Sequence, residues 1–379
     1  MRIVLTVNAA WNALNFRRPV IEALLDRGDR VTILAPTDPA SKALRDMGCD
    51  VVDLEMDVKG LSPRLDAGLV GQFAQHFREL NPDAVLSYTI KNNIFGAMAA
   101  RRLGIPFLPN VSGLGTGFLS GRVLRLVVEG LYRFAFRALP IVFFQNPDDR
   151  ALFVERNLIA HQHTRLLPGS GIDLEHFAPV PQPRSKTTVF LMISRLLRDK
   201  GVMEFAQAAY QLRTERTDVQ FQILGAVDTA NRSAISPLVL AEWVKDGRLE
   251  HLGEHQDVRP FIAKADCIVL PSYREGAPRT LIEAASMARP LIATDVPGCR
   301  HVIDEGVTGL LCPSHSVSGL CQSIEAFQCL PPTKRKAMGE AGREKMAREH
   351  DQRIVVTEYL RAVDALTLSG RTGGAQQSA

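Results

Sequence analysis

The stretch CIVLPSYREGAPRTLIEAA, residues 267–285, decides how the chain is read. Cys267–Leu270 is an apolar run of strand length, closed by Pro271, which cannot extend a sheet ladder. A loop carrying Glu275 and Gly276 follows, Pro278 stands where a helix begins, and Glu283 lies about two turns further on. Gly276 allows a ligand to come close to the backbone. The segment Gly276, Ala277, Pro278, Arg279 and Thr280 turns backbone and the positive end of a helix dipole toward an anion, and a diphosphate suits it. Glu275 is placed to accept hydrogen bonds from sugar hydroxyls and Glu283 to reach a ribose. The bare Glu-x7-Glu spacing carries little, because Glu242 and Glu250 repeat it without the strand, the glycine or the proline. Without those neighbours the pair would be two surface carboxylates flanking an ordinary helix.

Working outward, a second loop has the same character. Ser194-Arg195-Leu-Leu-Arg-Asp-Lys200-Gly201 follows a strand candidate at 189–194 and precedes a helix candidate at 201–213. Arg195 is a bidentate phosphate binder by geometry and Lys200 a point charge. The bland alternative is a solvated basic loop. Further strands are expected at 219–224, 249–252 and 290–293, between helices at 236–246, 258–264, 279–288, 316–328, 331–349 and 351–366. The first half repeats the rhythm, with strands at 3–7, 30–35, 50–54, 83–88, 105–109 and 140–144. Its helices are expected at 17–27, 40–47, 66–80, 93–103 and 120–138. Strands alternating with helices of this length predict parallel sheets, hence an α/β chain of two Rossmann-like domains facing an interdomain cleft. The expected boundaries are an N-terminal domain over 1–168, a Pro-rich linker over 169–186, a C-terminal domain over 187–349, a last helix over 350–367 and a disordered tail over 368–379.

Composition narrows the function. A net charge of +4 over 379 residues is too small to argue for nucleic acid, and the excess lies in the first 165 residues. The six cysteines form no CxxC pair, so neither a disulfide framework nor a zinc site is expected. His161-x-His163 lies in a polar loop and reads as surface. No secretory leader and no membrane span is expected, which points to the cytoplasm. No resident metal or cofactor is called for.

The second half resembles the retaining glycosyltransferases of family 4, which have the GT-B fold. The matching elements are Ser194-Arg195 with Lys200-Gly201, Leu252-Gly253, Glu275-Gly276-x-Pro278 with Glu283, Thr294-Asp-Val-Pro-Gly298 and Gly306-x-Thr-Gly309. The resemblance implies that Arg195 and Lys200 bind the donor diphosphate, that Glu275 holds the donor sugar and Glu283 the ribose, and that backbone near Gly253 lines the base pocket. It also implies transfer from a nucleotide diphosphate sugar, with UDP favoured and GDP left open, with retention of anomeric configuration and without an obligatory metal, and that the last helix, 350–367, is a crossover helix returning to the N-terminal domain.

In the first half, Asn15-Phe16-Arg17-Arg18-Pro19 replaces a Gly-rich first turn and resembles the polysaccharide-assembly branch of that family. Asn15 could cap the first helix, and Arg17 or Arg18 could meet an acceptor phosphate; equally, the three could be a cap and a solvated arginine pair. Lys91, Gly113 and Gly115 lie just past strand ends and are further acceptor candidates. Residues 119–139 mix Leu, Val and Phe with Arg122, Arg125, Arg133 and Arg137. Such a helix either lies in a membrane interface or packs into the core with snorkelling arginines. The resemblance and the charge excess favour peripheral contact with the inner membrane on its cytoplasmic face, and an acceptor linked to undecaprenyl diphosphate. Three other readings stand beside this one, and the first, a catalytically dead binding subunit, is opposed by the intact Arg195, Lys200, Glu275 and Glu283. A UDP-sugar epimerase would share the twin architecture but needs an acid/base set that is not evident. An NAD-dependent oxidoreductase needs a GxGxxG in the first turn, which is missing.

Overall fold

The computed structural model describes residues 1–57, 63–114, 122–181, 186–215, 217–229, 231 and 233–374. The apolar runs become strands, and those at the centre of each sheet are largely buried on both faces, as parallel sheets covered by helices require. In the first unit these are β1 (Arg2–Thr6), β2 (Arg30–Ala35), β3 (Asp50–Asp53), β4 (Ala84–Tyr88), β5 (Phe107–Val111), β6 (Val142–Phe144) and β7 (Thr164–Leu166). They form one parallel sheet in the order β3-β2-β1-β4-β5-β6-β7, with Ile3 registered between Val31 and Ala84. In the second unit, β8 (Thr188–Ile193), β9 (Val219–Leu224), β10 (Glu250–His251), β11 (Cys267–Leu270), β12 (Leu291–Thr294) and β13 (Gly309–Cys312) form a parallel sheet in the order β10-β9-β8-β11-β12-β13. The first unit takes residues 1–170 and 352–379, the second 171–351.

The division differs from the expected one in the Pro-rich stretch. Residues 171–181, read from sequence as part of a linker, belong to the second unit, and two arginines explain why. Arg343 donates to the carbonyls of Leu174 and Phe177, and the fully buried Arg289 donates to those of Val180 and Pro181. Residues 182–185 lie outside the described residues. The last helix, Gln352–Gly374, runs past 367, where the crossover helix was expected to end. It is part of the first unit, where Val355, Tyr359 and Val363 are buried in the core and Arg27 pairs with Asp364 at 2.8 Å. Of the expected disordered tail, 375–379 lies outside the described residues.

The first helix also departs from expectation, spanning Ala10–Asp26 with Pro19 inside it. Its capping acceptors come from the turn after β2, where Pro36 O accepts from Ala10 N at 3.3 Å and the Asp38 carboxylate from Trp11 N at 2.8 Å. A cap supplied from another strand's loop leaves no local Ser, Asp or Asn pattern to read. Asn15 is therefore not the cap; it sits within the helix and donates to Trp11 O at 2.9 Å. The short edge strands β7 and β13 and the helix Pro147–Glu155, capped by the Asn146 side chain, were not foreseen. Among the described residues no helix is long and apolar enough to cross a membrane.

Candidate active site

Open parallel sheets bind ligands where the strand order reverses, outside the carboxyl ends of the strands. In the second sheet that point lies between β8 and β11, so the loops after Ile193 and after Leu270 are neighbours. Both loops flagged in the sequence are here, and several contacts join them. Tyr273 N donates to Asp199 O at 2.9 Å, Thr280 Oγ1 donates to Ile193 O at 3.0 Å, and Lys200 Nζ lies 2.6 Å from Glu275 Oε1. Gly201 has φ +74°, and a Cβ there would stand 2.0 Å from Pro271 O, so only glycine lets these loops close on each other.

A third loop fixes Glu275 from the other side. Glu275 N donates to Pro297 O at 3.1 Å. Gly298, at φ +85°, passes so close that a Cβ would lie 2.5 Å from Glu275 O. Within the helix Arg279–Ser286, Arg279 Nε lies 2.6 Å from Glu283 Oε1. Burial raises the Glu283 carboxyl above its usual range, and Arg279 opposes that shift. Gly253 joins the same edge through its carbonyl, which accepts from Gly225 N at 2.8 Å, one loop away from Ser194. The Arg195 guanidinium is exposed and hydrogen-bonds no described residue. The sheet edge thus brings together Arg195, Lys200, Gly253, Glu275, Gly276 and Glu283.

Some residues of this edge were not anticipated. Tyr273 donates its hydroxyl to Glu204 at 2.7 Å and packs against the His315 ring at a tilt of 34°, centroids 3.6 Å apart. Burial, with the Glu204 carboxylate as the next contributor, pushes its phenol up to about 12. Ser233 donates to the Asp199 carboxylate at 3.0 Å, and its carbonyl receives Arg198 N, tying the 195–200 loop to a segment far along the chain. These contacts join segments distant in sequence, and no spacing announces them.

The first sheet reverses between β1 and β4, and a polar cluster occupies that edge as well. Asn92 donates to Thr6 Oγ1 at 2.7 Å, Asn93 to Asn110 O at 2.8 Å, and Asn110 to the Tyr359 hydroxyl at 2.7 Å. Arg17 lies over the Tyr88 ring, 4.0 Å from its centroid. It is only 4% exposed, and its Nε and Nη1 atoms have no hydrogen-bond partner. The neighbouring candidates behave differently. Arg18 points to solvent and pairs with Glu22 at 2.7 Å, and Lys91 donates to Asp57 O at 2.8 Å. Gly113 has φ +150°, two residues past β5, and Gly115 lies outside the described residues.

Comparison with known proteins covers both halves of the chain. Residues 16–169 match a family described as glycosyl transferase 4-like domain, and residues 187–328 match glycosyl transferases group 1. The chain belongs to the glycosyltransferases of family 4. It is 28% identical, over 96% of its length and 98% of the relative's, to N,N'-diacetylbacillosaminyl-diphospho-undecaprenol alpha-1,3-N-acetylgalactosaminyltransferase of Campylobacter jejuni. It is 25% identical, over 64% of its length and 65% of the relative's, to UDP-Gal:alpha-D-GlcNAc-diphosphoundecaprenol alpha-1,3-galactosyltransferase of Escherichia coli. Anabaena HepE, solved in complex with UDP and glucose, shares the fold at TM-score 0.78 and 16% identity, covering 96% of this chain and 99% of that one. This glycosyltransferase thus has the GT-B fold expected from its sequence. The epimerase reading has no support in these matches.

Proposed function

We propose that this glycosyltransferase moves a hexose or N-acetylhexosamine from a UDP-sugar to a glycan carried on undecaprenyl diphosphate, with retention of configuration, at the cytoplasmic face of a membrane. The observation that carries the donor side is the convergence of the 195–201 and 271–280 loops through the Lys200–Glu275 contact. A departing diphosphate needs charge compensation aimed at its oxygens. Arg195, Lys200 and the amino end of the helix Arg279–Ser286 supply it. Glu275 accepts from hydroxyls of the transferred sugar, and Glu283 accepts from the ribose. Ala277, Pro278 and Thr280 shape the segment that approaches the phosphates. The names of the two curated relatives specify diphosphoundecaprenol-linked acceptors, and one specifies UDP-galactose, which supports the same classes here.

On the acceptor side, Arg17 is the residue best suited to a phosphate. A buried cation without a partner costs several kcal/mol, which an anion offsets. Asn15, Arg18, Lys91, Gly113 and Gly115 are weaker candidates, Arg18 and Asn15 being engaged by Glu22 and Trp11. The helix Arg122–Phe136 supplies the membrane contact. One face, with Val128, Tyr132, Ala135 and Phe136, is buried. The other leaves Val123 78%, Leu126 63%, Val127 55% and Phe134 46% exposed, at helical spacing. Both sequence readings of this segment thus have a face to rest on, and the exposed one suits an interface.

The test is transfer itself. Purified enzyme is incubated with UDP-glucose, UDP-galactose and their N-acetylamino analogues in liposomes containing an undecaprenyl-diphosphate-linked sugar, and product configuration is read by NMR. One donor should give an acceptor-dependent α-linked product. Nucleotide release that is independent of acceptor, with every donor, would defeat the proposal.

A further inference from the structure

One cavity of the first unit is left unexplained by the two sheet edges. It has a volume of about 340 Å³, and its walls include Arg133, Arg137 and His163 over an apolar floor of Phe136, Leu158 and Ile159. No carboxylate lines it. Arg133 is held in place by the carbonyls of Asn157 and Arg156, at 3.2 and 2.9 Å. The Nδ1 atom of His163 lies 3.1 Å from Pro140 O, which can only accept, so Nδ1 carries a proton and Nε2 remains for another partner. Arg137 and Arg101 both lie over the Phe134 ring, 4.7 and 4.5 Å from its centroid. Arg101 is held below its usual pKa first by burial and then by the cations Arg137 and Arg102. Among the described residues no carboxylate is within ion-pair distance of Arg133, Arg137 or His163. The cavity is therefore a concave, cationic, partly apolar site without a counter-charge of its own.

Its position names the occupant. Arg133 and Arg137 lie at the carboxyl end of the helix whose exposed face carries Val123, Leu126, Val127 and Phe134. We infer that this cavity binds the phosphate of an anionic phospholipid headgroup, with the apolar floor taking the start of the glycerol and acyl portion. The site is distinct from those for donor and acceptor. The inference rests on the membrane-facing reading of that helix, and two separate experiments keep them apart.

The cavity is tested in solution with the full-length enzyme and a short-chain phosphatidylglycerol kept below its micelle threshold, titrated by NMR or calorimetry. Each Arg near a lipid phosphate contributes on the order of 1 kcal/mol, so Arg133→Gln with Arg137→Gln should weaken binding by about thirty-fold. Arg45→Gln with Arg78→Gln, the same charge change on exposed residues away from the cavity, should leave it within about two-fold. Because Arg133 also ties two carbonyls, Arg137→Gln alone, which removes no hydrogen bond to a described residue, gives a second reading, with a loss of roughly five-fold. Equal weakening by the cavity pair and the surface pair overturns the inference. So does inorganic phosphate binding as tightly as the lipid, which would make the cavity a free-phosphate site. The helix is tested by flotation with phosphatidylcholine vesicles with and without phosphatidylglycerol. If Leu126→Ser with Val127→Ser abolishes flotation while short-chain lipid still binds, both readings stand. If that variant floats as the parent does, the membrane reading fails and the titration alone judges the cavity.

Discussion

At the edge of the second sheet Lys200 lies 2.6 Å from Glu275, and Arg279 lies 2.6 Å from Glu283. At the edge of the first, Arg17 is buried over Tyr88 with two nitrogens unpartnered. The two edges share a topology, each lying between the first and fourth strands of its half, yet they hold charge in different ways. A set of paired charges is already positioned, and an incoming ligand exchanges one partner for another. A buried lone cation keeps an unfavourable term in the fold until an anion arrives. Donor recognition is therefore expected to be a matter of geometry, and acceptor recognition a matter of charge. Mutations at the two edges should separate along that line.

The largest effect is expected at Glu275. Its backbone is held by Pro297 and Gly298, and its carboxylate by Lys200, so the carboxylate is already in place. Glu275→Ala should lower kcat by about 10²–10³-fold, the scale of losing one preorganised polar group, with UDP affinity little changed. Steady-state kinetics beside UDP calorimetry checks this. An unaltered kcat would remove Glu275 from the reaction and leave the paired edge without its purpose.

Arg17→Met tests the opposite edge, and stability and activity should move in opposite directions. Removing an uncompensated buried charge should raise Tm by a few degrees, about 1 kcal/mol of added stability. The same change should lower kcat/KM for the lipid-linked acceptor by about 10–100-fold, the cost of one charge-assisted contact, with donor KM unchanged. If Tm falls and the acceptor kinetics stay put, Arg17 is a structural residue and the contrast between the edges disappears.

Gly298→Ala asks whether the paired edge depends on position. The new Cβ must displace the Glu275 carbonyl or the loop that carries it, in a backbone conformation that alanine resists. A shift of the order of 1 Å in a reacting group costs about 10–100-fold in kcat. Activity at parental level would mean that the loop relaxes without moving the carboxylate. Arg195→Ala should be milder, raising the donor Kd about ten-fold, because this guanidinium is exposed and solvent screens it. Donor calorimetry at two salt concentrations should show the loss shrinking as salt rises.

The contrast was half legible in the sequence. Gly276 and Pro278 beside an apolar strand mark the proposed donor edge, because a strand end, a glycine and a helix start are all local features. The parallel sheets could be read for the same reason, each buried strand being one short apolar run. Arg17 was visible only as one of two adjacent arginines. What separates it from Arg18 is burial beneath Tyr88, which lies on a strand far along the chain. The first helix start was lost because Asp38, after another strand, supplies the acceptor for Trp11 N. The pairings Lys200–Glu275 and Tyr273–Glu204 likewise join positions 75 and 69 residues apart in the chain. The Pro-rich stretch looked like a free linker because its anchors, Arg289 and Arg343, lie more than a hundred residues on.

The smallest effect is the most diagnostic of how the donor edge uses a buried charge. Burial raises the Glu283 carboxyl above its usual range, so the fold favours its protonated form. Its contribution to stability is therefore present below the ordinary carboxylate pKa and is lost as pH rises through the raised value. Ribose binding runs the other way, since the ionised carboxylate accepts from two hydroxyls and the protonated one gives up an acceptor. Lowering pH through that window should weaken UDP-sugar binding a few-fold, about 1 kcal/mol, while this residue's share of stability grows. The diphosphate diester of a UDP-sugar stays ionised throughout, so the ligand's own charge is constant. Glu283→Gln should flatten both dependences. If donor affinity in that variant keeps the parental pH profile, the ribose rests elsewhere, and Arg279 holds Glu283 for the sake of the helix alone.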